Sequence, residues 1–272
     1  MTAASVDPFA KFKQTQREGW ASFLPVEMMT TLPAAKLVNF AQVGPGQRVL
    51  DVGCGTGVVA ITAAGRGAKA FGLDLTPALL ERARYNASVA GVEIDFVEGD
   101  VEALPYPDAS FDVVLSQFGH MFAPRPAVAV QEMLRVLKVG GQIAFSTWPP
   151  EHFIGRMFTL VARHMLPPAP GGDLPAPPPA WGDPHVIRER LGALVTDLSF
   201  ERDSLIWPAL SLQHFRLAQE QSVGPLMKLV SSLQSDPTRL AQVRAEYDAL
   251  AGENFERNAI HLHFLMTCAT KA

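Results

Sequence analysis

The sequence predicts an α/β fold built on a doubly wound, largely parallel sheet, and three observations predict it. Five short runs of strand-forming residues alternate with segments of helical period between about residues 48 and 148. The first run, Val49-Leu50-Asp51-Val52, passes into Gly53-Cys54-Gly55-Thr56-Gly57 and then into an apolar stretch, Val58 to Ala64, closed by Gly65. Three acids, Asp51, Asp74 and Asp100, stand in or just beyond three successive strands. A strand, a glycine turn and a helix form the first half of a βαβ nucleotide-binding unit, and open sheets of this kind bind ligands at the strand C-termini.

The elements follow in order. Asp7 to Phe40 reads as two or three short helices, with Asp7-Pro8 as N-cap and first helical residue. Phe9, Phe12, Trp20, Phe23 and Leu24 give this stretch an apolar surface. It is either a layer on the sheet edge or a flap over a ligand with Trp20 on its inner side. Gly44-Pro45-Gly46 turns the chain into the first strand. A second strand, Ala68 to Leu73, ends at Asp74, and Thr76-Pro77 opens a helix that runs to Gly91. The third strand is Ile94 to Val97, followed by Glu98-Gly99-Asp100 and a loop with two prolines. The fourth is Phe111 to Leu115. The next helix carries Val130, Met133, Leu134 and Leu137 as its buried stripe and is stopped by Gly140-Gly141. Gln142 to Trp148 is the fifth strand.

Beyond it the pattern changes. A helix over Phe153–Met165 gives way to a segment rich in proline between Pro167 and Pro184, too stiff to join a sheet centre. Asp183-Pro184 starts another helix, and Val195 to Trp207 holds a sixth strand. Helical stretches follow at Leu212–Leu233 and Pro237–Ala251. The tail, Ala259 to Thr270, alternates with Ile260, Leu262, Phe264 and Met266 on one side, as a strand does. The chain divides as one domain, 1–272. Its parts are an N-terminal flap (1–43), a nucleotide-binding core (44–150), a cap around the sixth strand (151–235), and a last helix and strand (236–272).

With 272 residues, 48% of them hydrophobic, the chain suffices for one sizeable domain with an insertion. A net charge of −4 without a run of lysines or arginines argues against a nucleic-acid partner. Two cysteines, Cys54 and Cys268, are too few for a disulfide framework or a zinc cage and fit a reducing cytoplasm. The opening residues show no apolar signal-type core, and no later stretch is long and apolar enough for a membrane span. The expected location is therefore cytoplasmic. A homodimer stays open.

Spacing narrows the nucleotide. A dinucleotide loop, G-x-G-x-x-G, would place its third glycine at 58, where Val58 stands. The sequence instead reads D-x-G-x-G-x-G, with the acid already inside the strand. Together with Asp74, Gly99-Asp100 and the phrase GDVEALPYPDASFDVVLSQFG, this resembles the class I S-adenosylmethionine (SAM)-dependent methyltransferases over about residues 45–148. The phrase is similar to that of the ubiquinone/menaquinone-type C-methyltransferases in the type 11 small-molecule group. Val139 departs from that pattern, where proline is usual. The resemblance implies a Rossmann-like sheet of seven strands with an antiparallel last strand, SAM as cofactor, S-adenosylhomocysteine (SAH) as product, and a small organic acceptor.

It also implies roles. Gly53, Cys54, Gly55, Thr56 and Gly57 would present backbone N–H groups and a helix start to the methionine carboxylate. Asp51 would hold the loop and the methionine ammonium, Asp74 the ribose hydroxyls with Leu75 beside it, and Asp100 the adenine amine with Val101 on the ring. Ser116 and Gln117 would line the methionine end, and Trp20 would close over it. Methyl transfer mainly requires in-line alignment and exclusion of water. A carbon or hydroxyl nucleophile also needs a base, for which His120, just past the fourth strand, is the candidate, with Glu151 and His152 behind it. Each is equally an ordinary core or surface residue by its position alone. Trp148 would wall the acceptor pocket or belong to the core.

His261 and His263 share one face of the last strand, but the sequence offers no third ligand, so no metal is expected. Ser116-Gln117-Phe118-Gly119 stands where adenine-methylating DNA enzymes carry D/N-P-P-Y/F, and two cysteines are too few for arsenite methylation. The Leu-, Phe-, Pro- and Met-rich cap favours an apolar acceptor. Two other functions fit the same fold: a SAM sensor without turnover, and a nicotinamide-dependent reductase.

Overall fold

The computed structural model describes residues 7–165 and 175–272. Eight strands among these form one sheet: β1 Arg48–Val52, β2 Lys69–Asp74, β3 Asp95–Glu98, β4 Phe111–Gln117, β5 Leu137–Thr147, β6 Val195–Pro208, β7 Phe255–Glu256 and β8 Ala259–Lys271. Their order is β3-β2-β1-β4-β5-β8-β6. The first five pair in parallel, and β8 runs antiparallel to both β5 and β6. The seven long strands are thus those expected. The eighth, β7, is a two-residue pairing on β8 that no periodicity announces.

Alternation along the strands sorts their side chains onto two faces. Val49, Val113, Leu115, Ala144, Phe264 and Met266 face one core, and Leu50, Val52, Val114, Ile143 and Phe145 face the other. On the first face pack α2 (Thr31–Phe40), α3 (Val58–Gly65) and α4 (Pro77–Ala90). Four later helices share that side: α6 (Phe153–His164), α8 (Leu212–Ser222), α9 (Gly224–Ser232) and α10 (Pro237–Gly252). On the second face pack α5 (Pro126–Val136) and α7 (Pro184–Leu191). Helices on both faces are what near-continuously apolar central strands require. Burying one such large apolar side chain stabilises the fold by about 1.5–3 kcal/mol.

The N-terminal stretch forms α1 (Ala10–Trp20), a 3₁₀ segment (Ala21–Thr30) and α2. Asp7 stands two residues too early to cap α1 directly. Its Oδ1 accepts the Phe9 N–H at 3.0 Å, and the helix begins one residue later. Thr76 is the N-cap of α4 by position but its side chain makes no capping bond; its own N–H donates to the Asp74 carboxylate, which ties the helix start to the end of β2. Asp183 and Asp236 cap α7 and α10 with their own side chains.

Three expectations are corrected. Leu137 is not the end of a helical stripe; α5 stops at Val136 and Leu137 opens β5, opposite Phe111. Gly140-Gly141 therefore lies inside a long, irregular strand and stops no helix. The region 212–233 is two helices broken at Val223, since Pro225 cannot continue a helix interior. Finally, the proline-rich stretch is divided. Its first part falls at 166–174, outside the described residues. Its second part, with the 3₁₀ turn Pro178–Gly182, packs Trp181 into the second face together with Ile187 and Leu191 of α7. This half of the expected cap does not reach the cavity described next.

Candidate active site

A cavity of about 250 Å³ opens at the C-terminal ends of β1, β2 and β4 and beside the turn after β3. On its sheet side stand Asp51, Gly53 to Thr56, Asp74 to Thr76, Gly99 to Val101 and Gln117 to Gly119. Its other walls come from α1, the 3₁₀ segment, the turn after β4, α6, β6 and α8, with Trp20, Phe23, Phe122, Met157, Phe158 and Trp207 among them. One end is therefore polar backbone and carboxylates. The other is aromatic and aliphatic.

The polar end is built by the glycine loop. Gly53 has φ +65°, and a Cβ there would lie 2.9 Å from the Gly119 Cα, so neither a side chain nor the backbone path is tolerated for another residue. The turns after β1 and β4 thus pass at backbone contact. Asp74 ties the loop to the next strand: its Oδ2 accepts the Gly55 N–H and its Oδ1 the Thr76 N–H, both at 2.8 Å. Burial raises its carboxyl from the ordinary value. Asp51 is buried more deeply. Its Oδ2 accepts the Ala60 N–H at 3.1 Å, its Oδ1 has no partner among the described residues, and burial pushes the carboxyl up to about 8. Gln117 donates from Nε2 to the Thr30 carbonyl at 2.9 Å, which leaves its buried Oε1 without a partner. Because a carbonyl can only accept, the amide is oriented by Thr30, and the orphan atom is an acceptor.

Two helical connections hold the N-terminal stretch over this end. Glu27, buried, receives Arg82 and Asn86 of α4. Lys13 of α1 is buried among Asp7, Asp100 and Glu102, with Nζ 2.7, 2.6 and 2.6 Å from their carboxylates. Burial pulls the ammonium down, but the three carboxylates outweigh it and hold it above its ordinary value. Those three acids are the one carboxylate group with metal-like spacing among the described residues, and the Lys13 ammonium already sits in it.

The comparisons agree with this geometry. Residues 50–145 match the family model of the methyltransferase domain. Rv1405c, an uncharacterized protein of Mycobacterium tuberculosis, is 32% identical over 267 residues, 94% of each chain. The chain belongs to the class I SAM-dependent methyltransferases. The demethylmenaquinone methyltransferase of Deinococcus radiodurans is 40% identical over 125 residues, which cover 44% of this methyltransferase and 52% of that one. A solved SAM-dependent methyltransferase from Thermotoga maritima superposes with a TM-score of 0.52 at 18% identity, covering 97% of this chain and 100% of that one, which shows the shared fold. SAM is the cofactor, so the nicotinamide reading ends here.

In this methyltransferase most of the expected cofactor residues border the cavity: Asp51, Gly53, Cys54, Gly55, Thr56, Asp74, Leu75, Asp100, Val101, Gln117 and Trp20. Two do not. Ser116 is fully buried, donates its Oγ–H to the Val52 carbonyl at 2.6 Å and accepts the His120 N–H at 3.0 Å, so it braces β1 against the turn after β4. Gly57 starts α3, and its α-carbon packs where a Cβ would strike Phe96 at 2.9 Å. Asp100 borders the cavity, but its Oδ2 is held by Lys13 and its Oδ1 accepts the Glu102 N–H.

His120 requires a larger correction. It borders the cavity, yet its imidazole packs against Phe145 and Trp181 on the second face, each centroid 4.6 Å away. Neither ring nitrogen has a partner among the described residues, and burial pushes the imidazole down to about 3. A conjugate acid that strong belongs to a poor base, and the ring's aromatic contacts are with the core residues Phe145 and Trp181. Glu151 and His152 lie outside the cavity, where both meet Arg202. His263 stacks beside His152, 4.8 Å between centroids, and His261 lies on the same side of β8. Trp148 does wall the cavity, stacked at 3.9 Å on Phe118, whose φ of +58° turns its ring there.

Lys13, Phe118, Met157, Phe158 and Gln219 escape sequence reasoning. Lys13 sits on a mostly polar helix where nothing local marks one lysine as buried. The others are brought in from elements whose sequence reads only as apolar packing.

Proposed function

We propose that this methyltransferase moves a methyl group from SAM to carbon or oxygen of a small, largely apolar organic acceptor. The observation that carries the reading is the continuity of one cavity, polar at the strand ends and apolar beneath α1, α6, β6 and α8. Bound SAM supplies an electrophilic methyl on a sulfonium, which demands little beyond alignment and dryness.

The residues present fit the cofactor. Two buried acceptors without partners, Asp51 Oδ1 and Gln117 Oε1, border the cavity and suit the methionine ammonium. The N–H groups of the glycine loop at the start of α3 suit its carboxylate. Each Asp74 oxygen accepts one backbone N–H and keeps a lone pair for a ribose hydroxyl. Val101 and Leu75 border the cavity beside Asp100 and would flank the adenine, whose amine would share Asp100 with Lys13. Trp20, edge-on to Phe122 at 4.8 Å, walls the cavity from α1 and would shield the bound sulfonium from water. The chain's own contribution to rate is then orientation, an effect worth about 7–11 kcal/mol at best.

The test has two arms. Calorimetry with SAH should show binding to the wild-type protein that Asp74→Ala largely removes; no binding to the wild type ends the reading. Incubation with SAM and a panel of apolar phenols, enols and quinols, followed by mass spectrometry, should show a methylated product. Binding without any product across broad panels would favour a sensor.

A further inference from the structure

The acceptor end of the cavity carries no charge of its own. The charged or titratable side chains bordering the cavity are Lys13, Asp51, Cys54, Asp74, Asp100 and His120. All six lie on the strand-end loops or, for Lys13, against them. His120 is neutral and turned into the core, and burial holds the Cys54 thiol protonated. Across the cavity the walls are Trp20, Phe122, Phe158, Met157, Trp148 and Trp207, with three polar side chains among them: Gln16, whose Oε1 accepts the Trp20 Nε1–H, Thr30, whose hydroxyl donates to the Glu27 carbonyl, and one supplied by α8.

That side chain is Gln219. It is 2% exposed, borders the cavity, and makes no side-chain hydrogen bond to any described residue. Its helix neighbours Phe215 and Ser222 are equally buried, but Ser222 bonds back to the Ala218 carbonyl and Phe215 needs no partner. The amide is open to the cavity rather than sealed from it, so a ligand there can complete its hydrogen bonds. A primary amide offers a donor and an acceptor side by side, a pair that a hydroxyl can use with its own proton and lone pairs. An ionised acceptor would meet no counter-charge here and would lose its hydration.

We propose that the acceptor is an uncharged molecule with a flat apolar body and one neutral hydroxyl, and that Gln219 recognises that hydroxyl. The inference rests on reading this cavity as the methyl-transfer site, and it adds the class of acceptor and the residue that selects it. Gln219 is a specificity residue and moves no proton.

Four probes of one shape test it by calorimetry on the SAH-loaded protein: β-naphthol, β-methylnaphthalene, β-naphthoate and the β-naphthylmethylammonium ion. β-Naphthol should bind about tenfold tighter than β-methylnaphthalene, and the two ions about tenfold weaker than β-naphthol. Gln219→Met, which keeps length and helix preference, should cancel the advantage of the hydroxyl and leave β-methylnaphthalene binding as it was. Equal binding of hydroxyl and methyl probes to the wild type overturns the proposal, as does tight binding of either ion, or binding of none of the four. A Gln219→Met variant that weakens both neutral probes equally also overturns it, since that is a packing effect. SAH binding is measured separately in each protein, and its absence from the wild type would instead remove the methyl-transfer reading.

Discussion

The two ends of the cavity are made in opposite ways. At the cofactor end each wall is a strand terminus with the turn that follows it, and every acid is tied to backbone nearby: Asp51 to Ala60, Asp74 to Gly55 and Thr76, Asp100 to Glu102. At the acceptor end the walls arrive from residues as far apart as Phe12 and Leu262, carry almost no hydrogen bonds, and meet by shape. The first construction is local and rigid and suits a ligand that never changes. The second is assembled by packing and can be altered wall by wall without disturbing the first, which is how one fold serves many acceptors.

The strongest way to break this contrast is at Asp74. Asp74→Ala removes two loop bonds and both ribose acceptors, and charged hydrogen bonds of this kind contribute roughly 1.5–3 kcal/mol each. SAH affinity measured by calorimetry should fall by about a hundredfold or more. An affinity within a few-fold of wild type would mean that the rim does not bind through this acid.

The complementary change fills the other end. Met157→Trp should obstruct the apolar compartment and lower turnover of any identified acceptor by about tenfold or more while SAH affinity stays unchanged. A parallel loss of SAH binding would show that the two ends are not independent.

Lys13 lies on the seam between them. Lys13→Met leaves Asp7 and Glu102 with only the half-exposed Arg125 as a cationic partner and Asp100 with none among the described residues. The expected loss is about 1–2 kcal/mol, below that of a fully buried pair because Asp7 and Asp100 are partly solvated. Hydrogen exchange should rise first in α1. Uniform exchange across the chain would mean that this cluster does not hold the N-terminal stretch.

His120 gives a smaller effect with a definite sign. Its folded imidazole is pushed down to about 3 from an ordinary 6.5. As pH falls below 6.5 the unfolded chain takes up a proton that the folded chain refuses. Its contribution to stability is therefore complete above 6.5 and is lost as pH falls towards 3, by at most about 1.4 kcal/mol per pH unit. His120→Phe should flatten that part of the urea-unfolding profile and leave turnover nearly intact. An unchanged acid slope with lost turnover would return the imidazole to the reaction. The smallest effect is expected at His263→Gln, outside the cavity, where turnover and SAH affinity should both stay within about twofold.

What the sequence determined by itself is the sheet and the cofactor. Strand alternation, the glycine turn and an acid at each strand end are local properties, set by backbone sterics and by burial on two faces, and they survive whatever covers them. Asp51, Asp74 and the loop from Gly53 to Thr56 were legible for that reason. Tertiary structure decided the rest. It sent the His120 ring into the core beside Trp181, although chain position alone places it on the rim. It joined Lys13 to acids 87 and 89 residues away in sequence, Asp100 and Glu102, and set Gln219 in a largely apolar wall. It turned Leu137 from helix to strand by pairing it with Phe111. In each case the deciding term is a contact distant in sequence, and no local pattern carries that information.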